Sequence, residues 1–440
     1  MIFNWLNNFS APDLIIELAL LLVVMFTPLP KGTFSGWPVM VVHVLSFTML
    51  ISWIIKMRGQ RSWKLRKTPV DYPLIFFFIC AVVSCIFSLD HGKSISGVLK
   101  VLDCIIIFYV AANNLDTRIK VRVLLYSIIL VGSFLSLFGL IQLLGGIGHS
   151  WWVAQTELAA TFENSSFFAG FMALIIPLTI GMLFDDLELG QRIILYYLLI
   201  IMALAYILSL SHGGWISLTT ALIVMSILFF SKSWSNKELV NKKLPALLLL
   251  LCIVVFTLVI CLGFTNMQGR MKLNNLSGRI KIWKQSIGMI KDYPFFGAGI
   301  DVFTSFHSAI PANFKSIDSE YMRNIKEWTL SGYNGYDGLE LFNQYIQTAA
   351  ETGILGLLCF IWLVVNSIFG SIKVYNQKKD RFKQMVCLSI IGGETATIVH
   401  MLSSNLLNFM SISVLLSLLM GITFSERKAT GTIYPASSEN

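Results

Sequence analysis

Glu340-Leu-Phe-Asn-Gln-Tyr-Ile-Gln-Thr-Ala-Ala-Glu-Thr-Gly353 is the border between two kinds of sequence. Behind it, from Thr265, lies a long polar and charged stretch. Ahead of it, Ile354 to Ile372 is an apolar run long enough to cross roughly 30 Å of hydrocarbon as a helix. Comparable runs recur along the chain, at 12–28, 37–56, 72–89, 97–112, 121–145, 164–184, 192–211, 213–231, 244–264, 353–372, 384–403 and 405–424. Hydrophobic residues make up 55% of the chain and charged residues 13%, a balance that excludes an ordinary soluble globular protein. The reading is an all-α, polytopic transmembrane bundle of about 12 spans, one integral domain over residues 1–440. Residues 265–340 form its one large extramembrane loop, between spans nine and ten, and 425–440 a tail. Met1 to Asn8 has no basic leader, so the first span is read as retained.

The net charge of +9 records topology rather than nucleic-acid binding. Basic clusters follow alternate spans: Lys56 to Lys67, Arg118 to Arg122, Lys232 to Lys243, Lys373 to Lys383, and Arg427 with Lys428. The intervening loops 29–36, 146–163 and 209–213 hold one Lys and no Arg. The positive-inside rule then puts both termini in the cytoplasm and loop 265–340 outside. That loop has nine Lys/Arg and seven Asp/Glu, and a loop of this length is translocated despite its basic residues. All seven cysteines fall in apolar runs, where they read as small buried hydrophobes. No metal-ligand cluster is evident in the outer loops.

Three segments carry unusual polarity, and topology puts them on the same face. They are Thr161 to Gly170, Ser209 to Trp215, and the large loop with its exit. Within the loop, Ile280, Trp283, Ile287 and Ile290 repeat at helical spacing, with Ser277 as N-cap and Pro294, Gly297 and Gly299 as the stop. Arg279 in the first turn opposes the helix dipole. Beside free backbone N–H groups it suits an anion site, with Lys281 and Lys284 adding charge. An ordinary solvated face of an interfacial helix is the other reading. At the exit, Glu340, Asn343, Gln347 and Glu351 form a polar stripe entering the membrane boundary. Such a stripe is costly unless it faces a polar cavity, and a carboxylate there suits a general base. A solvated surface helix is the bland alternative. Inside the spans, Lys100 and Asp103 read as a structural pair, while Glu394 and His400 fit either a structural or a functional role.

Taken in order, these segments resemble the O-antigen ligase and polymerase superfamily of bacterial surface-polysaccharide proteins. Thr161-Phe-Glu-Asn-Ser-Ser-Phe leading to Pro177 is similar to the family's entry into a central span. Ser277-Gly-Arg279 with Trp283, then Asp292-Tyr-Pro294 to Gly299, is similar to its S-G-R-x-x-x-W…P-x-x-G-x-G pattern. Asn343-Gln-Tyr345 to Glu351-Thr-Gly353 is similar to its H-N-x-Y-L…E-x-G pattern. The resemblance covers roughly residues 70–425. It implies a metal-independent, cofactor-free glycosyltransferase in the bacterial inner membrane. Its donor would be an undecaprenyl-diphosphate-linked oligosaccharide, and its acceptor another glycan or lipid A-core on the periplasmic face. Membrane lipid and a chain-length regulator would be its partners.

On this resemblance Arg279 corresponds to a phosphate-binding arginine, and His212 stands where the family has a second. Asn164, Asn343 and Gln347 complete the expected substrate contacts. Phe342 occupies the ligases' histidine position and cannot accept a proton. The base is therefore expected at Glu340, with Asp337 and His307 as further candidates, and polymerase is favoured over ligase. A flippase for lipid-linked sugars and a non-catalytic scaffold are the competing classes.

Overall fold

The structure, a computed structural model, describes residues 10–33, 36–61, 63, 65–145, 158–185, 187–235, 283, 286–302, 343–377 and 380–425. Among these residues the chain is helical and without strands. The helices are α1 (Ala11–Phe26), α2 (Trp37–Gly59), α3 (Asp71–Ile86), α4 (His91–Asn114), α5 (Arg118–Leu143) and α6 (Ser165–Leu183). They continue with α7 (Leu189–Leu208), α8 (His212–Ser235), α9 (Gln344–Gln377), α10 (Arg381–His400) and α11 (Met410–Phe424). A 3-10 turn, Leu406–Asn408, joins α10 to α11.

By length and apolarity seven of these helices can cross a membrane: α2, α4, α5, α6, α7, α8 and α9. The shorter α3 and α11 are apolar as well. The expected count of twelve is not reached among the described residues. The ninth run, 244–264, lies outside them, as does most of loop 265–340.

Helices apolar all round explain how the bundle is layered. On α2, Val39, Val42, Met49 and Trp53 are buried while Met40, Val44, Ile51 and Ile55 are exposed. Both sets are apolar, so one side packs and the other suits lipid. Helix α6 is buried along nearly its whole length and forms the centre. This agrees with its expected place as a central span. Helix α10 packs against both α6 and α8. Gly393 lies against Leu174 of α6, and Gly392 against Met225 of α8, so small residues let the backbones approach closely.

Several of the described basic residues gather at one end, among them Lys56, Arg66, Lys120, Arg118, Arg122 and Lys232. Lys56 bonds Asp13 at 2.6 Å and Asn114 at 2.7 Å, and Lys120 reaches Glu17 at 2.9 Å. Arg66 donates to the carbonyls of Ala112 and Phe424. Arg118 and Arg122 both clamp Asp185 and lie over the Phe382 ring. Lys232 donates to the Tyr375 carbonyl. Described members of clusters that lie far apart in the sequence thus each find a local partner.

One pairing differs from expectation. Lys100 and Asp103 do not bind each other. Lys100 pairs with Asp301 at 2.8 Å, and Asp103 with His43 of α2 at 2.5 Å. Residues three apart share a helix face, but each of these side chains has a better-aimed partner on a neighbouring segment.

Candidate functional site

The opposite end of the bundle gathers the polar segments around a turn, Met401 to Asn405, that follows α10. The Asn164 side-chain oxygen accepts from the N–H groups of Ser166 and Phe167 and caps α6. Ser166 Oγ then lies 3.1 Å from His400 Nε2 and 2.6 Å from Ser404 Oγ. His212 opens α8, its ring 5.4 Å from that of Trp215, and a Cβ on adjacent Gly213 would overlap the Ser403 hydroxyl. Asn343 caps α9 through the N–H groups of Tyr345 and Ile346 and donates to the Leu402 carbonyl at 3.0 Å. Each Asn cap contributes about 1 kcal/mol.

Four of the sequence-nominated residues, Asn164, His212, Asn343 and Gln347, are therefore brought to one end. Arg279, Lys281, Lys284, His307, Asp337 and Glu340 lie outside the described residues. Sequence reasoning missed the turn itself. Its signal was the polar Ser403-Ser404-Asn405 interrupting two apolar runs, next to His400.

The polar stripe on α9 faces inward. Gln347 is fully buried and Glu351 5% exposed, which excludes the solvated-surface reading for both. Gln347 donates to the Glu351 carboxylate at 3.0 Å and exchanges hydrogen bonds with the Asn408 side chain at 3.0 and 3.2 Å. Gln344 accepts from the Leu407 N–H. The 3-10 turn and the first turns of α9 are thus one hydrogen-bonded unit.

Helix α9 breaks at Gly353, where φ is 72°. The break receives the Pro294-x-x-Gly297-x-Gly299 segment. Ile354 N–H donates to the Pro294 carbonyl, Ala298 N–H to Ala350, and Gly299 N–H to Glu351. Ser84 of α3 also donates to the Glu351 carbonyl, at 2.6 Å. On its other side the segment is tied to α4 and the turn before it. Leu89 N–H donates to the Ala298 carbonyl, and Ser94 Oγ to that of Ile300. Asp301, held at φ 62°, meets Lys100. Residues 286–302 thus form a strap across α3, α4 and α9.

The amphipathic helix expected before the strap is helical at 286–292, but its faces are not those anticipated. Ser286 and Met289 turn inward and Ile287 is 47% exposed. Of the expected apolar stripe, Ile287 therefore faces outward while Trp283 and Ile290 are half-buried. Partial burial pushes the Tyr293 phenol up, and the adjacent Asp292 carboxylate adds to the shift.

Beneath the strap lies an elongated cavity of about 190 Å³. Its polar end holds Lys100, Asp301, Glu351 and Asn408, and its walls include Phe77, Phe108 and Leu363. It continues to Ser367 and Glu394, whose carboxylate accepts from Ser367 at 2.9 Å and from Ser371. Among the described residues no cluster of His, Cys, Asp and Glu could hold a metal ion.

Apolar helices of this length define a polytopic membrane protein, with a candidate site where the polar segments gather at one end of its bundle. Residues 197–361 match a family model described as O-antigen ligase. That region includes the Ser209–Trp215 hairpin, the strap and the α9 stripe. The match supports placing the chain in the O-antigen ligase and polymerase superfamily. A protein of Haemophilus influenzae, described only as uncharacterized, is 23% identical over 409 residues, which is 89% of this chain and 90% of that relative.

Proposed function

We propose that this protein is a membrane glycosyltransferase of the O-antigen polymerase type. It takes a glycan from undecaprenyl diphosphate at the periplasmic end of the bundle and adds it to an acceptor sugar. The observation that carries this reading is the cavity, lined mostly by apolar side chains, with Lys100, Asp301, Glu351 and Asn408 beside the strap and Glu394 on α10. That shape suits a ligand with a long hydrocarbon chain and a hydrophilic head. The family match supports the general ligase or polymerase class.

Within this proposal Arg279 and His212 hold the diphosphate, with Lys281 and Lys284 nearby. A diphosphate leaving group needs fixed cations to stabilise its developing charge. The acceptor hydroxyl gives its proton to a carboxylate at the same end of the bundle. Polymerase is preferred to ligase because Phe342 stands where the ligases place a histidine.

A flippase would carry its charges along a path through the bundle. Here the described intramembrane charges have local partners: His43 with Asp103, Lys100 with Asp301, and Glu394 with two serines. That favours chemistry at one end over passage.

The test is an in vitro reaction with purified full-length protein and undecaprenyl-diphosphate-linked repeat units. Lengthened lipid-linked glycan is expected. Glycan joined only to added lipid A-core would instead identify a ligase, and no glycosidic product would remove the transferase reading. In cells, Arg279→Ala should collapse the surface-polysaccharide ladder on a gel.

A further inference from the structure

We infer that Glu394 marks a binding site for an organic cation, a protonated amine carried on a compact apolar body. Glu394 lies well inside α10, 13 residues from Arg381 and six from His400 (394 − 381 and 400 − 394). It is 2% exposed, and it lines the cavity. An ionisable side chain at that depth is costly to keep, and it marks a ligand path or a site more often than it serves packing.

The hydrogen-bond donors that hold this carboxylate come from one helix. Ser367 Oγ donates to one oxygen at 2.9 Å and Ser371 Oγ to the other at 3.2 Å. These serines stand one turn apart on α9 and so share a face. A carboxylate has about four lone-pair positions, and each hydroxyl fills one of them. Glu394 and Ser367 both border the cavity, so the remaining positions are within reach of a ligand there.

The rest of that wall is also rich in acceptors. Ser413 and Ser417 of α11 line the same cavity. Their hydrogens go to the carbonyls of Phe409 and Ser413, which leaves both hydroxyl oxygens as acceptors. A primary ammonium suits such a wall, because it has three hydrogens to donate and no lone pair. Its bond to a carboxylate is charge-assisted and stronger than a neutral one. Phe77 and Phe360, with ring centroids 5.8 Å apart, line the cavity as well. They give the apolar body a surface, and aromatic rings attract a cation. A polyprenyl tail has no donor for these groups, so the transferase reading leaves them unused. The amine site stands independently of that reading.

The probe is 1-adamantylamine, with 1-adamantanol as its neutral counterpart of the same shape. Radiolabelled amine is equilibrated with full-length protein in nanodiscs, and uptake by empty nanodiscs is subtracted. Wild type should bind the amine saturably and the alcohol about tenfold or more weakly, the scale of one charged hydrogen bond. Glu394→Gln keeps the shape and removes the charge. It should weaken the amine by about tenfold or more and leave the alcohol within about twofold of wild type. Asp301 and Glu351 also border the cavity, so amine binding unchanged in Glu394→Gln overturns the assignment. Equal affinity for amine and alcohol in wild type overturns it as well, since the cavity would then read shape alone. So does an absence of saturable amine uptake. Should Glu394→Gln fail to fold, Glu394→Asp, which draws the carboxylate back by one methylene, decides: amine affinity equal to wild type overturns the site.

Discussion

Gly353 and Phe295 lie backbone against backbone: a Cβ on Gly353 would overlap the Phe295 carbonyl. The same is true in reverse of Gly297, whose missing side chain faces the Glu351 carbonyl. Both glycines hold φ at 72°, a region that L side chains avoid. Two glycines 56 positions apart (353 − 297) thus form one joint between the strap and the broken helix.

Alanine at either position should open this joint. Gly353→Ala or Gly297→Ala is expected to cost about 1–3 kcal/mol through overlap and backbone strain. Thermal unfolding in detergent measures it. A melting temperature equal to wild type would mean that the strap does not dock as described.

The packing of α3 on α9 has its own reporter. Cys80 and Cys359 place their sulfurs 4.0 Å apart, within reach of a disulfide after small adjustment. Mild oxidation with copper phenanthroline should join them within the chain, shifting mobility on a non-reducing gel. Cys80→Ser should abolish the shift. A shift that survives this substitution would come from another pair.

At the basic end, Asp185 is 2% exposed and clamped by Arg118 and Arg122. The arginines are about one-third exposed, so water compensates part of any loss. Asp185→Asn should lower stability by about 1–3 kcal/mol, the scale of charge-assisted hydrogen bonds. It should leave donor binding at the far end unchanged. A binding defect with unaltered stability would contradict the separation of the two ends.

The Gln347–Asn408 exchange lends itself to a double-mutant cycle. Gln347→Leu or Asn408→Leu alone leaves a buried polar partner unsatisfied and should cost about 1–3 kcal/mol. The double substitution removes both partners and should cost less than the sum. Simple additivity would show that the two amides are not coupled.

Much of the architecture was legible beforehand. Eleven of the twelve expected apolar runs coincide for most of their length with described helices, because lipid-sized apolar stretches satisfy their backbone only as helix. The stripe at Asn343, Gln347 and Glu351 was readable from its spacing, and so was the need for something polar to face it. Pro294, Gly297, Gly299 and Gly353 could each be seen as breaks in a pattern, but not as parts of one contact. Lys100 and Asp103 show the same limit in reverse. Their spacing suggested a pair that the fold does not make.

What the sequence by itself determined is therefore what depends on neighbours along the chain: helix positions, basic belts and the polarity of one face. Those are set by hydrophobic length and charge, which a single segment carries alone. Only the tertiary structure decided that Lys100 meets Asp301, that His400 meets Ser166 and that the strap seals the break at Gly353. Such partners lie far apart in the chain. They are chosen by distance and direction once the helices have packed, and no local pattern records that choice.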